Sequence, residues 1–323
     1  MTEKIILDTD PGIDDAMAIL FAEASPAIEL LGITTVFGNA TIEDGTRNAL
    51  WIKERFGMQA IIAKGADRPL RRPPVGATTV VHGEHGLGDV TAGEAQGSAD
   101  PRPAWQFIVD SVKAAPGEIT LVTIGPLTNL ALALEQAPEI TGLVKQVVVM
   151  GGAFGVNGHR GNVTPYAEAN IHDDPEAADQ VFTADWPVVI IGLDVTQQSV
   201  FSGAYLDALR DDAGEVGQFL WDVSRFYLRF YSARIGMDGC HVHDPSAIAY
   251  VINPALFTLR EGAVRVVTDG PAIGHTLQKF DGRRHPHDGW EAYRAQQVGV
   301  AVDDTALLAL YRQTLIDWAG KRV

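Results

Sequence analysis

The 323-residue chain is long enough for one large α/β domain or two ordinary ones, and it buries a sizeable core either way. At 46% hydrophobic and 20% charged it has the composition of a soluble globular protein, and its formal charge of −16 opposes phosphate backbones and anionic lipid surfaces, so neither nucleic acid nor a membrane is an expected partner. One cysteine, Cys240, rules out an intrachain disulfide framework, and no secretory-type leader or membrane-length apolar run is read, which together predict a cytoplasmic protein.

The β-branched run over 4–7 predicts the first buried strand, and the pattern over 14–24 the first helix. Strands follow at 28–36, 59–63, 119–124, 146–150 and 188–193, with helices over 42–56, 105–114, 127–136 and 175–182 among them. This alternation predicts an α/β fold with a mostly parallel central sheet flanked by helices on both faces. Residues 68–102 are rich in Gly, Pro and Thr with weak periodicity, and are expected to form a long loop of the kind that often carries function. Beyond residue 200 the pattern turns more helical, with a helix over 214–233 and strands near 263–267 and 298–302. No linker, repeat or low-complexity tract interrupts it, so 1–323 is expected to be a single domain.

The stretch "ILDTDPGIDDA" crowds Asp8, Asp10, Asp14 and Asp15 into the joint between the first strand and the first helix. Ligands bind at that rim of an open α/β sheet. A helix N-terminus accounts for one capping aspartate, not four. Carboxylates this close repel unless a cation lies among them, and the nearest cationic side chain in sequence, Lys4, is on the far side of the strand. A bound metal is therefore expected, and hard oxygen ligands favour Ca²⁺ or Mg²⁺ over Zn²⁺.

Further segments join this opening in a fixed order: "TTVFGNAT" with Asn39, "VHGEHGLGD" with His82, "TIGPLTNLALAL", "MGGAFGVNGHRGNVTPYAEANIHDDPEAA" with Asn162, Glu168 and Asn170, and "HVHDP" with His243 and Asp244. From residue 5 to about 250 the chain resembles the calcium-dependent nucleoside hydrolases of the inosine-uridine-preferring family, whose opening signature D-x-D-P-G-x-D-D-A is present without a substitution. The resemblance implies a Rossmann-like nucleoside hydrolase fold, a homodimer or homotetramer, and hydrolysis of the N-glycosidic bond of ribonucleosides to ribose and free base. It also implies Ca²⁺ held by Asp10, Asp15, Asp244 and the main-chain carbonyl of Ile124, with the ribose 2′- and 3′-hydroxyls completing the shell.

By the same resemblance Asp10 is the general base, activating a water held by the metal. Asp14 and Asn39 bind the 2′- and 3′-hydroxyl region, and Asn162, Glu168 and Asn170 grip the 5′- and 3′-hydroxyls; an extended backbone at 168–170 would point both outer side chains into one pocket. His82 and His243 face the base, and a small upward pKa shift from nearby carboxylates would make His243 the general acid. Tyr227 and Tyr231, four apart on one helical face, suit core packing and closure over the base equally. Histidines stand where purine-selective relatives carry tryptophan, so a broad or pyrimidine-preferring enzyme of nucleoside salvage is expected.

Two rival readings stand as alternatives that particular residues disfavour. A haloacid-dehalogenase-type phosphatase needs Thr or Val four residues after its first aspartate, where this chain has Gly12, and no cationic phosphate-binding motif is present. A ribose- or calcium-binding protein without turnover is expected to lack Asp10 or Asn170, and both are present. Cys240 is expected to be a small buried side chain, and "RRHPHDGW", 283–290, a solvated loop.

Overall fold

The computed structural model describes residues 2–74, 76–286 and 289–321. Its first strand, β1 (Glu3–Thr9), shows why a continuous apolar run belongs in a parallel sheet covered on both faces: Ile5 and Leu7 enter one hydrophobic layer and Ile6 the other. The chain continues through α1 (Ile13–Ala24), β2 (Ile28–Thr35), α2 (Ile42–Arg55), β3 (Ile61–Lys64), the single turn α3 (Thr79–His82), α4 (Ala104–Ala114), β4 (Ile119–Thr123), α5 (Thr128–Gln136) and β5 (Gln146–Met150). It then forms α6 (Ala169–Asp173), α7 (Pro175–Thr183), β6 (Val188–Ile191), α8 (Leu193–Thr196), β7 (Val200–Ser202), α9 (Gly203–Asp212), α10 (Gly214–Ile235), β8 (Gly239–His241) and α11 (Asp244–Ile252). The chain ends with β9 (Phe257–Val266), β10 (Thr276–Lys279), β11 (Ala295–Val302) and α12 (Asp304–Gly320).

Nine strands form one sheet in the order β10-β9-β11-β6-β5-β4-β1-β2-β3. The seven from β11 to β3 are parallel, while β9 runs antiparallel between β11 and β10, which gives the mixed sheet expected. One layer packs α1, α2, α10, α11 and α12 on the sheet, and the other packs α4, α5 and α7. The chain runs outward from β1 to β2 and β3, then returns to the opposite side of β1 as β4. The switch point between β1 and β4 is where such a sheet opens a crevice, and the aspartate turn and Ile124 leave the two strands there.

The expected strands are observed with ends shifted by a few residues, and the strand read at 263–267 is the end of the longer β9. The long loop at 68–102 holds α3, which carries His82, and Asp100 forms an isolated parallel bridge with Ala63. Residues 281–286 are exposed, as expected of a solvated loop, while His287 and Asp288 lie outside the described residues. Cys240 is fully buried, and burial pushes its thiol pKa up, which suits an inert core side chain. Among the described residues no helix is long and apolar enough to cross a membrane.

Candidate active site

β1 and β4 end side by side, and the chain leaving β1 turns through Pro11 and Gly12 into α1. A Cβ on Gly12 would lie 2.6 Å from His82 Nδ1 and 2.9 Å from Asn39 Cβ, so only glycine admits both neighbours. Asn48, fully buried on α2, donates to the carbonyls of Pro11 (3.1 Å) and His85 (2.7 Å) and ties the aspartate turn to the loop that carries His82. Asp15 accepts from Thr9 Oγ1 (2.5 Å), Gly12 N (2.9 Å) and Asn39 Nδ2 (2.9 Å), so it caps its own helix while facing the rim.

Asp14, Asp15 and Asp244, the first residue of α11, bring one oxygen each to within 4.8 Å of one another, all buried. Asp10 adjoins this group with Oδ2 accepting from Asn39 N at 2.7 Å, while its Oδ1 and Asp14 Oδ1 are buried without a hydrogen-bond partner among the described residues. Burial, and then the nearby Asp15, pushes the Asp10 pKa well above the carboxylate range. The same two causes raise Asp14 to about 8, and burial followed by the Asp14, Asp15 and Asp10 charges raises Asp244. Orphaned oxygens in a buried, mutually repelling set with no sulfur or nitrogen donor fit a hard divalent cation. The triad could hold one.

Asp8, the fourth aspartate of the turn, does not join that group. It lies within β1 on the Ile6 face, where Oδ1 accepts from Thr34 Oγ1 (2.5 Å) and Asn129 Nδ2 (2.8 Å). Strand alternation sends it toward α5, so it ties β1 to β2 and α5 instead of standing at the rim.

A cavity of ≈ 330 Å³ opens above the triad and is lined by every predicted substrate-binding side chain: Asp14, Asn39, His82, Asn162, Glu168, Asn170, Tyr227 and Tyr231, together with His243, Asp244 and Ile124. Asp10 and Asp15 are not in the lining; they stand behind Asn39, which bonds to both. The expected extended backbone at 168–170 is not found. Glu168 is instead the N-cap of α6, its carboxylate accepting from Asn170 N (3.0 Å), Ile171 N (3.2 Å) and Gly152 N (3.0 Å), and burial raises its pKa to about 7. Capping needs the acidic side chain to fold back over its own first turn, which still leaves Asn170 beside it. The Asn170 amide donates to Ile124 O (2.9 Å) and Met150 O (3.2 Å), so it reaches the carbonyl expected to ligate the metal. Asn162, exposed at the mouth, accepts from Ala169 N at 3.1 Å.

Along the opposite wall a chain of hydrogen bonds runs from Asp14 Oδ2 to Tyr227 Oη (3.3 Å), to Tyr231 Oη (3.4 Å), to His243 Nε2 (3.0 Å), and from His243 Nδ1 to Thr196 Oγ1 (2.8 Å). With Asp14 ionised, Tyr227 must donate to it. Each proton downstream is then assigned: Tyr231 donates to Tyr227, His243 Nε2–H to Tyr231, and Thr196 to Nδ1. The two tyrosines thus pack and also present hydroxyls to the cavity. His243 departs from expectation, since burial pushes its pKa well below 6.5, with His241 and His82 adding to the shift. His82 is likewise lowered to about 4 by burial, and its Nδ1 accepts from Ile13 N at 3.2 Å, so it does not form a charged pair with Asp14 at 3.9 Å.

Comparison with known proteins decides the relationship. The family described as inosine-uridine preferring nucleoside hydrolase matches residues 5–309. The chain belongs to this family. It is 41% identical over 291 residues to the inosine-uridine preferring nucleoside hydrolase of Crithidia fasciculata, covering 89% of this chain and 91% of that one. Uridine nucleosidase 1 of Arabidopsis thaliana is 40% identical over 316 residues, 97% of this chain and 93% of that one. Among solved structures a plant nucleoside hydrolase superposes with a TM-score of 0.94 at 36% identity, covering 98% of this chain and 99% of that chain.

This nucleoside hydrolase cleaves ribonucleosides by hydrolysis at the N-glycosidic bond. Its cavity also contains groups that sequence reasoning missed. Gln197 and His241 line it, His241 with its Nδ1 buried and without a hydrogen-bond partner among the described residues, and Arg234 enters from the last turn of α10. Thr196 was hidden for a different reason: a lone threonine carries no signal until α8 sets it against His243.

Proposed function

We propose that this chain is a calcium-dependent ribonucleoside hydrolase with uridine among its substrates, in which Asp10 activates the attacking water and His243 assists departure of the base. The observation that carries this reading is the buried Asp14, Asp15 and Asp244 triad beneath a nucleoside-sized cavity whose other polar lining suits a sugar. Asp10, Asp15, Asp244 and the Ile124 carbonyl would hold the ion, with Asp14 close enough to share it. Calcium would supply the positive charge that these carboxylates need and an anchor for vicinal hydroxyls.

The chain's own groups do the rest. Asp14 and Asn39 take the 2′- and 3′-hydroxyls, while Asn162, Glu168 and Asn170 hold the 5′ side. Asp10, whose Oδ1 has no partner among the described residues, is free to accept the water proton as C1′ gains oxocarbenium character. His243, neutral, donates its Nε2–H to the Tyr231 hydroxyl beside the base and assists departure by hydrogen bonding without ionising, while the proton that neutralises the base comes from solvent. Uridine occurs in the names of both the Crithidia and the Arabidopsis relatives, and histidines rather than tryptophans face the base, which supports a broad or pyrimidine-preferring enzyme. A single domain, a cytoplasmic setting and a homodimer or homotetramer complete the reading.

The test is ribose release from uridine, cytidine, inosine and adenosine without phosphate, in calcium or excess chelator. Release that disappears on chelation and returns with calcium is expected. Chelator-resistant release, or rescue by zinc alone, would remove the calcium assignment.

A further inference from the structure

We propose that Arg234 is a further catalytic residue of this hydrolase, a fixed cation placed against the departing base. It is the only Arg or Lys in the cavity lining among the described residues. Tyr227, Tyr231 and Arg234 follow one another at four- and three-residue spacing, so they stand on one face of α10. Their contacts give that face a depth scale. The Tyr227 hydroxyl reaches Asp14, and the Tyr231 hydroxyl, one turn on, reaches His243. Arg234 comes one turn further toward the helix end, roughly 10 Å along the axis from Tyr227.

A ribonucleoside bound with its ribose at Asp14 and Asp244 therefore extends its base along Tyr231 toward Arg234. This rests on the ribose-inward placement of the preceding reading. When the C1′–N bond breaks, its electron pair goes to the base nitrogen, water oxygen bonds to C1′, and the water proton goes to Asp10. The base thus leaves with negative charge spread onto its ring carbonyl oxygens before a proton neutralises it. A guanidinium remains charged throughout, and it donates hydrogen bonds to such oxygens without giving up a proton. Arg234 is exposed and has no carboxylate partner among the described residues, so its donors are available to a ligand.

The experiment compares Arg234→Ala and Arg234→Lys with the wild type, in saturating calcium, on uridine and on 4-nitrophenyl riboside, whose leaving group is already stable as an anion in water. For Arg234→Ala the kcat on uridine should fall about 10- to 100-fold, somewhat less than for a fully buried oxyanion donor. The nitrophenyl substrate should change less than about threefold on the same argument, and lysine should restore part of the uridine rate. Thermal midpoints should not move, because the side chain is exposed. Equal losses on both substrates, or an undiminished uridine rate, would overturn the proposal. The underlying reading fails separately, by a wild-type enzyme indifferent to calcium, and that result would overturn both.

Discussion

Asp10 is where two demands meet in one carboxylate. Asn39 N fixes Oδ2 at 2.7 Å, and Oδ1 is left buried with no partner among the described residues, an arrangement that costs stability unless something else occupies that oxygen. Asp10→Ala is expected to lower kcat on uridine by about 10²- to 10⁴-fold, the range of a lost general base, and steady-state kinetics in excess calcium would measure it. Turnover within a few-fold of wild type would remove the base assignment. Asp10, Asp14 and Asp15 are legible in sequence because repulsion among clustered carboxylates is a local signal, whereas Asp244 is reached only through the family motif "HVHDP". Thr196 and Arg234 are not legible, since each matters only through a neighbour brought from a distant element. Legibility also fails for His243, whose position the motif gives but whose environment it does not. Nearby carboxylates suggest an upward pKa shift, and burial reverses the sign.

At the level of elements, the site is a consequence of where β1 and β4 stop. Gly125 follows Ile124 directly after β4, and a Cβ there would lie 2.8 Å from Asp10 Oδ1 and 2.9 Å from Val36 Cγ1. Gly125→Ala should therefore push Asp10 aside without straining the backbone. The expected outcome is a rise of about tenfold or more in the calcium concentration for half-maximal activity, with a destabilisation of about 1–3 kcal/mol from overpacking. Calcium titration of ribose release and a denaturant melt would separate the two. An unchanged calcium midpoint would show that Asp10 does not ligate. The strands that frame this switch point were readable because buried parallel strands are short continuous apolar runs. The α6 N-cap was not, because a Glu-x-Asn pair reads equally well as strand or helix start and only the Gly152 and Ile171 amides decide it. The C-terminal helix α12 buries Leu307, Tyr311 and Leu315 at four-residue spacing, so its stripe was present in the general helical pattern after residue 200 although its limits were not.

Over the whole molecule, a charge of −16 and a buried acidic cluster make stability a function of both pH and cation. Burial raises Asp8 and Glu168 to about 7 and Asp14 to about 8, whereas carboxyls in an unfolded chain titrate near 4. The folded protein thus keeps protons that the unfolded chain has lost, and its stability falls as pH rises through 8, by on the order of 1 kcal/mol per pH unit for each group still protonated. Histidine works the other way. His82 and His241, lowered to about 4 by burial, stay neutral in the fold while the unfolded chain takes up protons below about 6.5, so stability is lost as pH falls from 6.5 to 4. Between pH 4 and 6.5 the two sets oppose each other; above 6.5 only the carboxylates titrate. Metal-free protein should therefore show a thermal midpoint that declines from pH 6.5 to 8.5. A cation that neutralises the cluster lets the carboxylates ionise inside the fold, so calcium should flatten that decline and stabilise more at pH 8 than at pH 6. Melts in excess chelator and in excess calcium across this range measure the difference, and a calcium increment that does not grow with pH would place the ion outside the acidic cluster.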